Sequence, residues 1–304
     1  MGKGDVPARD GPFGFGGPGA STGGGGGGYA VELLYASSPP LDADKLAPRV
    51  RAFCPRSDAV DAGGRPPILF SHKDHLVPVD LPADANGDVA AAVPARTVVM
   101  PTDRVVDVAA LHESLGQTRD WDDAALALAR STARVVVTDL LAKDLPPRER
   151  LALFEAVLLG VIEAARPAAI HWRPAGKLVD PAALLKASGS PEVDALPQAA
   201  INVRLFRVKH SDQDLLMDTL GLAALGLPDL QVVFHKMEPA RVAAHLYAVA
   251  LYTLRNGDFV DDGETIEGPT RGTEWTARHA AALAEPPRPV VDFDPGPDYS
   301  VRAA

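Results

Sequence analysis

Pro146-Pro147 opens a segment in which Leu151, Phe154, Leu158 and Val161 recur at helical spacing. Val157 and Ile162 widen the apolar stripe, and Pro167 closes it. Proline suits the first helical turn and ends a helix elsewhere, so the run predicts a helix of defined length with a broad apolar surface. Arg134 to Thr138 (RVVVT) reads as a strand before it, nearly continuously apolar and therefore buried on both faces. Ala169 to Trp172 reads as a short strand after it. A chain with these elements must fold as helices laid on a sheet, because neither element can leave its apolar surface in water.

The rest of the chain repeats the alternation irregularly. Val31 to Tyr35 is a strand, and Asp42 to Phe53 a short helix with Pro48 as its weak point. Ile68 to Ser71, Leu76 to Leu81 and Thr97 to Met100 read as strands, with Pro82 to Pro94 a loop. Asp120 can cap a helix from Trp121 to about Thr132. Pro181 starts a short helix to about Ala187. Ile201 to Val208 alternates as a half-buried strand, and Thr219 caps or begins a short helix reaching Leu225. Gln231 to Phe234 is a strand, and Glu238 to Arg255 a long helix that Asn256-Gly257 caps. Phe259 to Glu267 reads as a hairpin about Asp262-Gly263, and Pro289 to Phe293 as an edge strand. The expected class is α+β: a mixed, largely antiparallel sheet covered by helices. The expected division is a glycine-rich disordered tail at 1–28, a smaller N-terminal lobe at 29–100, a larger C-terminal domain at 101–294 and a tail at 295–304.

Charge and cysteine content exclude several classes. The formal net charge is −10, and the basic residues are scattered among acids as in Arg148-Glu149-Arg150. Nucleic-acid affinity needs clustered Lys and Arg, so no nucleic-acid partner is expected. Cys54 is the sole cysteine, which rules out an internal disulfide framework and a thiolate metal cluster. No apolar run approaches membrane-spanning length and no signal peptide is visible, so the expected location is the cytoplasm, without a membrane partner.

The reactive motifs are weak. Gly14-Phe15-Gly16-Gly17-Pro18-Gly19 matches a dinucleotide fingerprint only formally, since no strand precedes it and no helix follows. His72 and His75, with Asp74 and Asp80, lack a third histidine ligand at useful spacing. A calcium loop from Asp258 fails at Val260 and Pro269, where acidic ligands belong. No nucleophile elbow or phosphate loop occurs, and His171 on its strand reads as a structural histidine. No metal and no cofactor is expected. One polar set stands above this background as a candidate ligand site: Asp139 at a strand end, Asn202 and Arg204 on one strand face, and Asp218-Thr219. An Arg204–Asp ion pair on a solvated face is the competing explanation.

The stretch from Trp121 to about Pro269 resembles a bacterial family known only as domain of unknown function 4261. The resemblance rests on the Trp121 helix, the Arg134 strand, the Arg148 to Ala165 helix, the Trp172 strand with Pro181, Thr219-Leu220-Gly221-Leu222-Ala223-Ala224-Leu225-Gly226, and Asn256-Gly257-Asp258 with Asp262-Gly263-Glu264-Thr265-Ile266. Leu227-Pro228-Asp229 departs from it and is similar to helper-type domains near bacterial toxin and immunity genes. The resemblance implies a bacterial cytosolic α+β domain and transfers no catalytic residue.

The expectation is therefore a non-catalytic protein-interaction or accessory module, in a toxin–immunity or stress setting, with an unidentified protein partner and an oligomeric state left open. The alternative is a hydrolase or small-ligand enzyme around Asp139, Arg204 and Asp218.

Overall fold

Two sheets, rather than one, absorb the alternating strands and helices. The computed structural model describes residues 28–60, 66–80, 90–189, 195–209, 211 and 213–301. The first sheet contains β1 (Ala30–Tyr35), β2 (Ser57–Val60), β3 (Ile68–Asp80), β4 (Ala90–Thr102), β5 (Ala133–Leu140), β6 (Ala169–Trp172) and β7 (Lys177–Val179). Its order is β2-β3-β4-β5-β1-β6-β7, with every neighbouring pair antiparallel. The second contains β8 (Asn202–Arg207), β9 (Leu215–Leu220), β10 (Asp229–Phe234), β11 (Thr265–Glu267), β12 (Glu274–Ala281) and β13 (Pro289–Asp294), in the order β11-β12-β13-β10-β9-β8. Only β10 and β13 run parallel there. The fold is α+β with largely antiparallel sheets, as the residues indicate.

The helices are α1 (Ala43–Phe53), α2 (His112–Gly116), α3 (Ala124–Ala129), α4 (Pro147–Ala165), α5 (Pro181–Ser188), α6 (Ala195–Ala200) and α7 (Pro239–Asn256). α4 is buried on nearly every side, from Arg150 and Leu151 to Ile162. It packs on α1, α5, α7 and the first sheet, and one continuous core joins it to the inner faces of both sheets. α1 approaches α4 where Gly160 lies, since a Cβ there would sit 2.8 Å from Val50 Cγ2. α2 and α3 cover the outer face of the first sheet only over β1, β6 and β7, through Leu34, Leu111, Leu128 and Leu178.

Several expectations need correction. The two strands expected on either side of His72-Lys73-Asp74-His75 are one strand, β3, whose register shifts between His72 and Leu76. The loop expected from Pro82 is strand from Ala90 onward, and Pro82 itself lies outside the described residues. Pro78 and Pro94 are tolerated because β2 pairs only with residues 69–72 of β3 and β5 only with residues 96–102 of β4. Beyond those limits the ribbon has a free side where a missing N–H costs nothing. The boundary near residue 100 is crossed by β4, and β1 pairs with β5 and β6, so the first sheet draws on both expected lobes.

The helix expected from Trp121 with an Asp120 cap is shorter, Ala124–Ala129, with Asp123 at its start. Thr219 lies inside β9, and only Ala223–Leu225 forms a 3₁₀ turn. Thr265–Glu267 pairs with β12 rather than across Asp262-Gly263. β13 is an inner strand, consistent with the burial of Val290, Val291, Asp292 and Phe293. The expected tail from residue 295 is attached through residue 300: Phe234 bridges Ser300, and His235 N–H donates to the Tyr299 carbonyl. The glycine-rich stretch 1–27 lies outside the described residues.

Gly160→Leu should destabilise the fold by about 3 kcal/mol, because the added volume forces α1 off α4. Ala at Gly116, where a Cβ meets nothing within 4 Å, should leave stability nearly unchanged. Urea unfolding midpoints of the two variants check both expectations.

Candidate functional site

In β8 the polar residues Asn202 and Arg204 share the face opposite Val203 and Leu205 and are buried, so they need partners. Arg204 meets Asp218 of β9 directly across the ladder: Nε donates to Oδ1 at 2.9 Å and Nη2 to Oδ2 at 2.6 Å. Its Nη1 donates to the Glu285 carbonyl at 2.9 Å. Arg288 lies beside this pair, with Nη2 2.5 Å from Asp218 Oδ2 and Nε 3.1 Å from Asp229 Oδ2. Its remaining N–H groups reach the carbonyls of Thr219, Ala284 and Pro286. Every donor of the Arg288 guanidinium is therefore occupied.

Asp229 shapes the turn after β9. It accepts from Thr219 Oγ1 at 3.0 Å and from the backbone N–H groups of Gly221, Leu222 and Ala223. Gly221 has φ +139°, and a Cβ there would fall 2.0 Å from the Ala200 carbonyl oxygen, so only glycine fits. Thr219, Gly221 and Asp229 thus explain one another as parts of a carboxylate-wrapped turn. Asp218 also neighbours Gln231, which neighbours Asp292, which neighbours Arg278, giving a polar row across β8, β9, β10, β13 and β12. The 282–288 segment lies over part of it, with Leu283 N–H donating to Gln231 Oε1.

The structure brings Arg204, Asp218 and Thr219 together and separates the other two expected residues from them. Asn202 donates to the Ala175 carbonyl at 3.0 Å. Asp139 is in β5, where it pairs with Arg150 of α4 and accepts from Tyr29 N–H at 2.6 Å. Arg150 Nη1 continues to the Ala224 carbonyl, which ties the first sheet to the turn of the second. Asp229 and Arg288 carry no sequence signal of this role, because Leu-Pro-Asp resembles an ordinary turn and Arg288 follows two prolines.

Residues 218–294 match the model of the family Domain of unknown function (DUF4261). The DUF4261 match therefore contains Asp218, Thr219, Asp229 and Arg288, and Arg204 alone of the network precedes it. It bears out the family resemblance in its C-terminal part and carries it on to residue 294. Comparison with curated proteins and with solved structures gives no match.

Outside the DUF4261 segment, His72 is buried between Ser57 Oγ, 2.6 Å from Nδ1, and Thr97 Oγ1, 2.9 Å from Nε2. Both ring nitrogens are engaged by hydroxyls. Burial, with a smaller contribution from the charge of His75, pushes its imidazole down to about 4. Among the described residues no group of three or more His, Cys, Asp or Glu is placed to hold a metal ion. His279 bonds Asp262 Oδ1 at 2.7 Å and Asp258 Oδ2 at 2.9 Å, so these acids tie the 258–263 turn to β12. A surface groove of about 480 Å³ between α1, α4 and α5 is lined by Arg49, Ile162, Glu163, Arg166 and Leu185, and by none of the expected site residues.

A second polar group sits on the outer face of the first sheet. Glu32 of β1 is directly opposite His171 of β6, and His171 Nδ1 lies 3.0 Å from Glu32 Oε2. His171 Nε2 lies 3.2 Å from Ser114 Oγ on α2. Arg134 Nη1 is 3.2 Å from Glu32 Oε1. Burial alone would raise the Glu32 carboxyl, but the hydrogen bond from His171 and the basic groups around it, Arg134 and Arg173 among them, outweigh it and hold it below its ordinary value. On its strand alone His171 reads as structural; its partners are 57 and 139 residues away, and only the fold brings them together.

Replacing Arg288 by Met should cost about 3–5 kcal/mol, since Asp229 loses its guanidinium partner and Asp218 one of its two. Arg278→Ala, at the exposed end of the row, should cost less than about 1 kcal/mol. Chemical denaturation of both variants reads the difference. A separate expectation concerns pH. Below about 6.5 the unfolded chain protonates at His72 while the folded chain resists until about 4, so stability falls as pH drops through that window. The loss reaches about 3 kcal/mol, and unfolding curves of His72→Asn should lack it.

Proposed function

We propose that this chain is a protein-interaction or accessory module whose contact surface is the open part of the seven-stranded sheet. The observation that supports it most is the outer face of β2 to β5. Val60, Leu69, Val98, Thr138 and Ala30 lie in one cross-strand row, and Met100 and Val136 begin the next. Val60 is 44% exposed and Met100 42%, while Leu69, Val98 and Val136 are half-buried. Sheet faces normally carry a covering layer, and among the described residues none covers these strands on that side. A contiguous apolar surface edged by polar groups, here Arg96, Thr102 and Arg134, is the usual signature of a docking face.

The buried ion-pair network supports the same reading from the other direction. Arg288 has no free donor, and Asp218 and Asp229 are fully buried, which suits a scaffold better than a reaction centre. Asp139 stands in the other sheet, so the hydrolase alternative built on Asp139, Arg204 and Asp218 has less support. The bacterial and cytoplasmic setting belongs to the same proposal and rests on the family resemblance and the lone Cys54. Among the described residues no helix is long and apolar enough to cross a membrane.

Affinity capture from the native host should recover one stoichiometric protein partner. The double variant Val98→Lys and Met100→Lys, which charges the middle of the face, should weaken that partner about tenfold or more. Equal retention by both forms would place the interface elsewhere. Recovery of no partner by the intact chain would overturn the reading.

A further inference from the structure

The Ser114 hydroxyl reaches beyond its own turn, unlike four other hydroxyls in helices or just past their ends. Ser131 Oγ, Ser188 Oγ, Thr118 Oγ1 and Thr253 Oγ1 each donate to the carbonyl one turn earlier, on Ala127, Leu184, Ser114 and Val249. That local bond is the common resting place of a helical Ser or Thr. Ser114 Oγ instead reaches across to His171 Nε2. The proton positions follow from the neighbours. Glu32, held ionised beside Arg134, can only accept, so His171 Nδ1 carries the hydrogen. A neutral imidazole has one such hydrogen, which leaves Nε2 as an acceptor facing the Ser114 O–H.

The geometry points to Ser114 as an activated nucleophile, with His171 as its base and Glu32 as the positioning residue, for hydrolysis of carboxylic esters. A nucleophile, a base within hydrogen-bond reach and a third group orienting the base are what acyl transfer requires. The side chains of His171 and Glu32 keep 13% and 11% of their surface, and Ser114 keeps 9%, so the relay lies at the edge of the covered region. This goes beyond the docking role and does not depend on it.

The chemistry balances with water as the only co-reactant. Ser114 Oγ bonds to the carbonyl carbon as its proton passes to His171 Nε2. The ester C–O bond then breaks, and the leaving alkoxide takes that proton away as alcohol. Water attacks the acylated serine and gives a proton to His171. The carbon–Oγ bond breaks, Oγ recovers the proton, and a carboxylic acid leaves.

A fluorophosphonate probe reads the nucleophile without knowledge of the natural substrate. The full chain should be labelled covalently on Ser114, as located by peptide mass spectrometry. Labelling should vanish in Ser114→Ala and slow about a hundredfold or more in His171→Gln, the contribution expected of a general base. Glu32→Gln should lower the plateau of the labelling rate and move the acid limb of its pH profile to lower pH, which a purely structural glutamate would not do. Circular dichroism establishes that each variant is folded. Absence of label on Ser114 in the folded wild-type chain overturns the assignment, whatever the variants do. Label that survives His171→Gln unchanged also overturns it.

Discussion

A helix with only a narrow polar stripe has to be enclosed on its other sides, and α4 imposes that requirement on everything around it. A single sheet covers only one side of a helix, so α4 needs α1, α7 and the inner face of a second sheet to complete its surroundings. Arg150 is the one charged side chain buried in α4. It is neutralised by Asp139 at the first sheet and bonded to the Ala224 carbonyl at the second. The same residue that resolves a buried charge therefore fixes how the two sheets meet. Tyr29 extends this junction, accepting at its hydroxyl from Trp172 Nε1 at 2.7 Å while its N–H donates to Asp139.

Each sheet carries a polar row on the face turned away from α4, and the two rows differ in how completely they are used. In the second sheet the row is roofed by the 282–288 segment, and Arg288 leaves no donor idle. Such a network holds strands in register and costs heavily if one partner is removed. In the first sheet the row changes character along its length: Met100 and Val136 are apolar, Glu32 and His171 polar, and Leu178 apolar under the α2–α3 cover. The cover stops part-way, so a polar relay and an uncovered apolar strip meet at its border.

Much of the fold was legible because its signals are local. RVVVT, AIHW and the helix bounded by Pro146-Pro147 and Pro167 announce themselves through apolar periodicity and proline punctuation, and β5, β6 and α4 occupy those residues. β9 was missed because Leu215–Leu220 carries Asp218 and Thr219 in a buried strand, where polar residues are not expected. β12 was missed because its alternating Glu274, Thr276 and Arg278 look like surface. The Arg204–Asp218 pairing was foreseeable from alternation on one strand, whereas Arg288 and Asp229 belong to it only through a parallel strand and a turn. Ser114, His171 and Glu32 had no sequence signal at all, since each is unremarkable until β1 and β6 align them.

The placement of β13 has a consequence for the order in which this chain can acquire its structure during synthesis. β13 lies between β10 and β12, yet it follows every other described strand in the chain. Until it emerges, the β11–β12 hairpin has no neighbour, and β8, β9 and β10 expose an unfilled edge. The Arg204–Asp218 pair likewise waits for Arg288, immediately upstream of that strand, to complete its charge balance. The second sheet can therefore be completed only once residues 289–294 are present, whereas every described strand of the first sheet ends by residue 179.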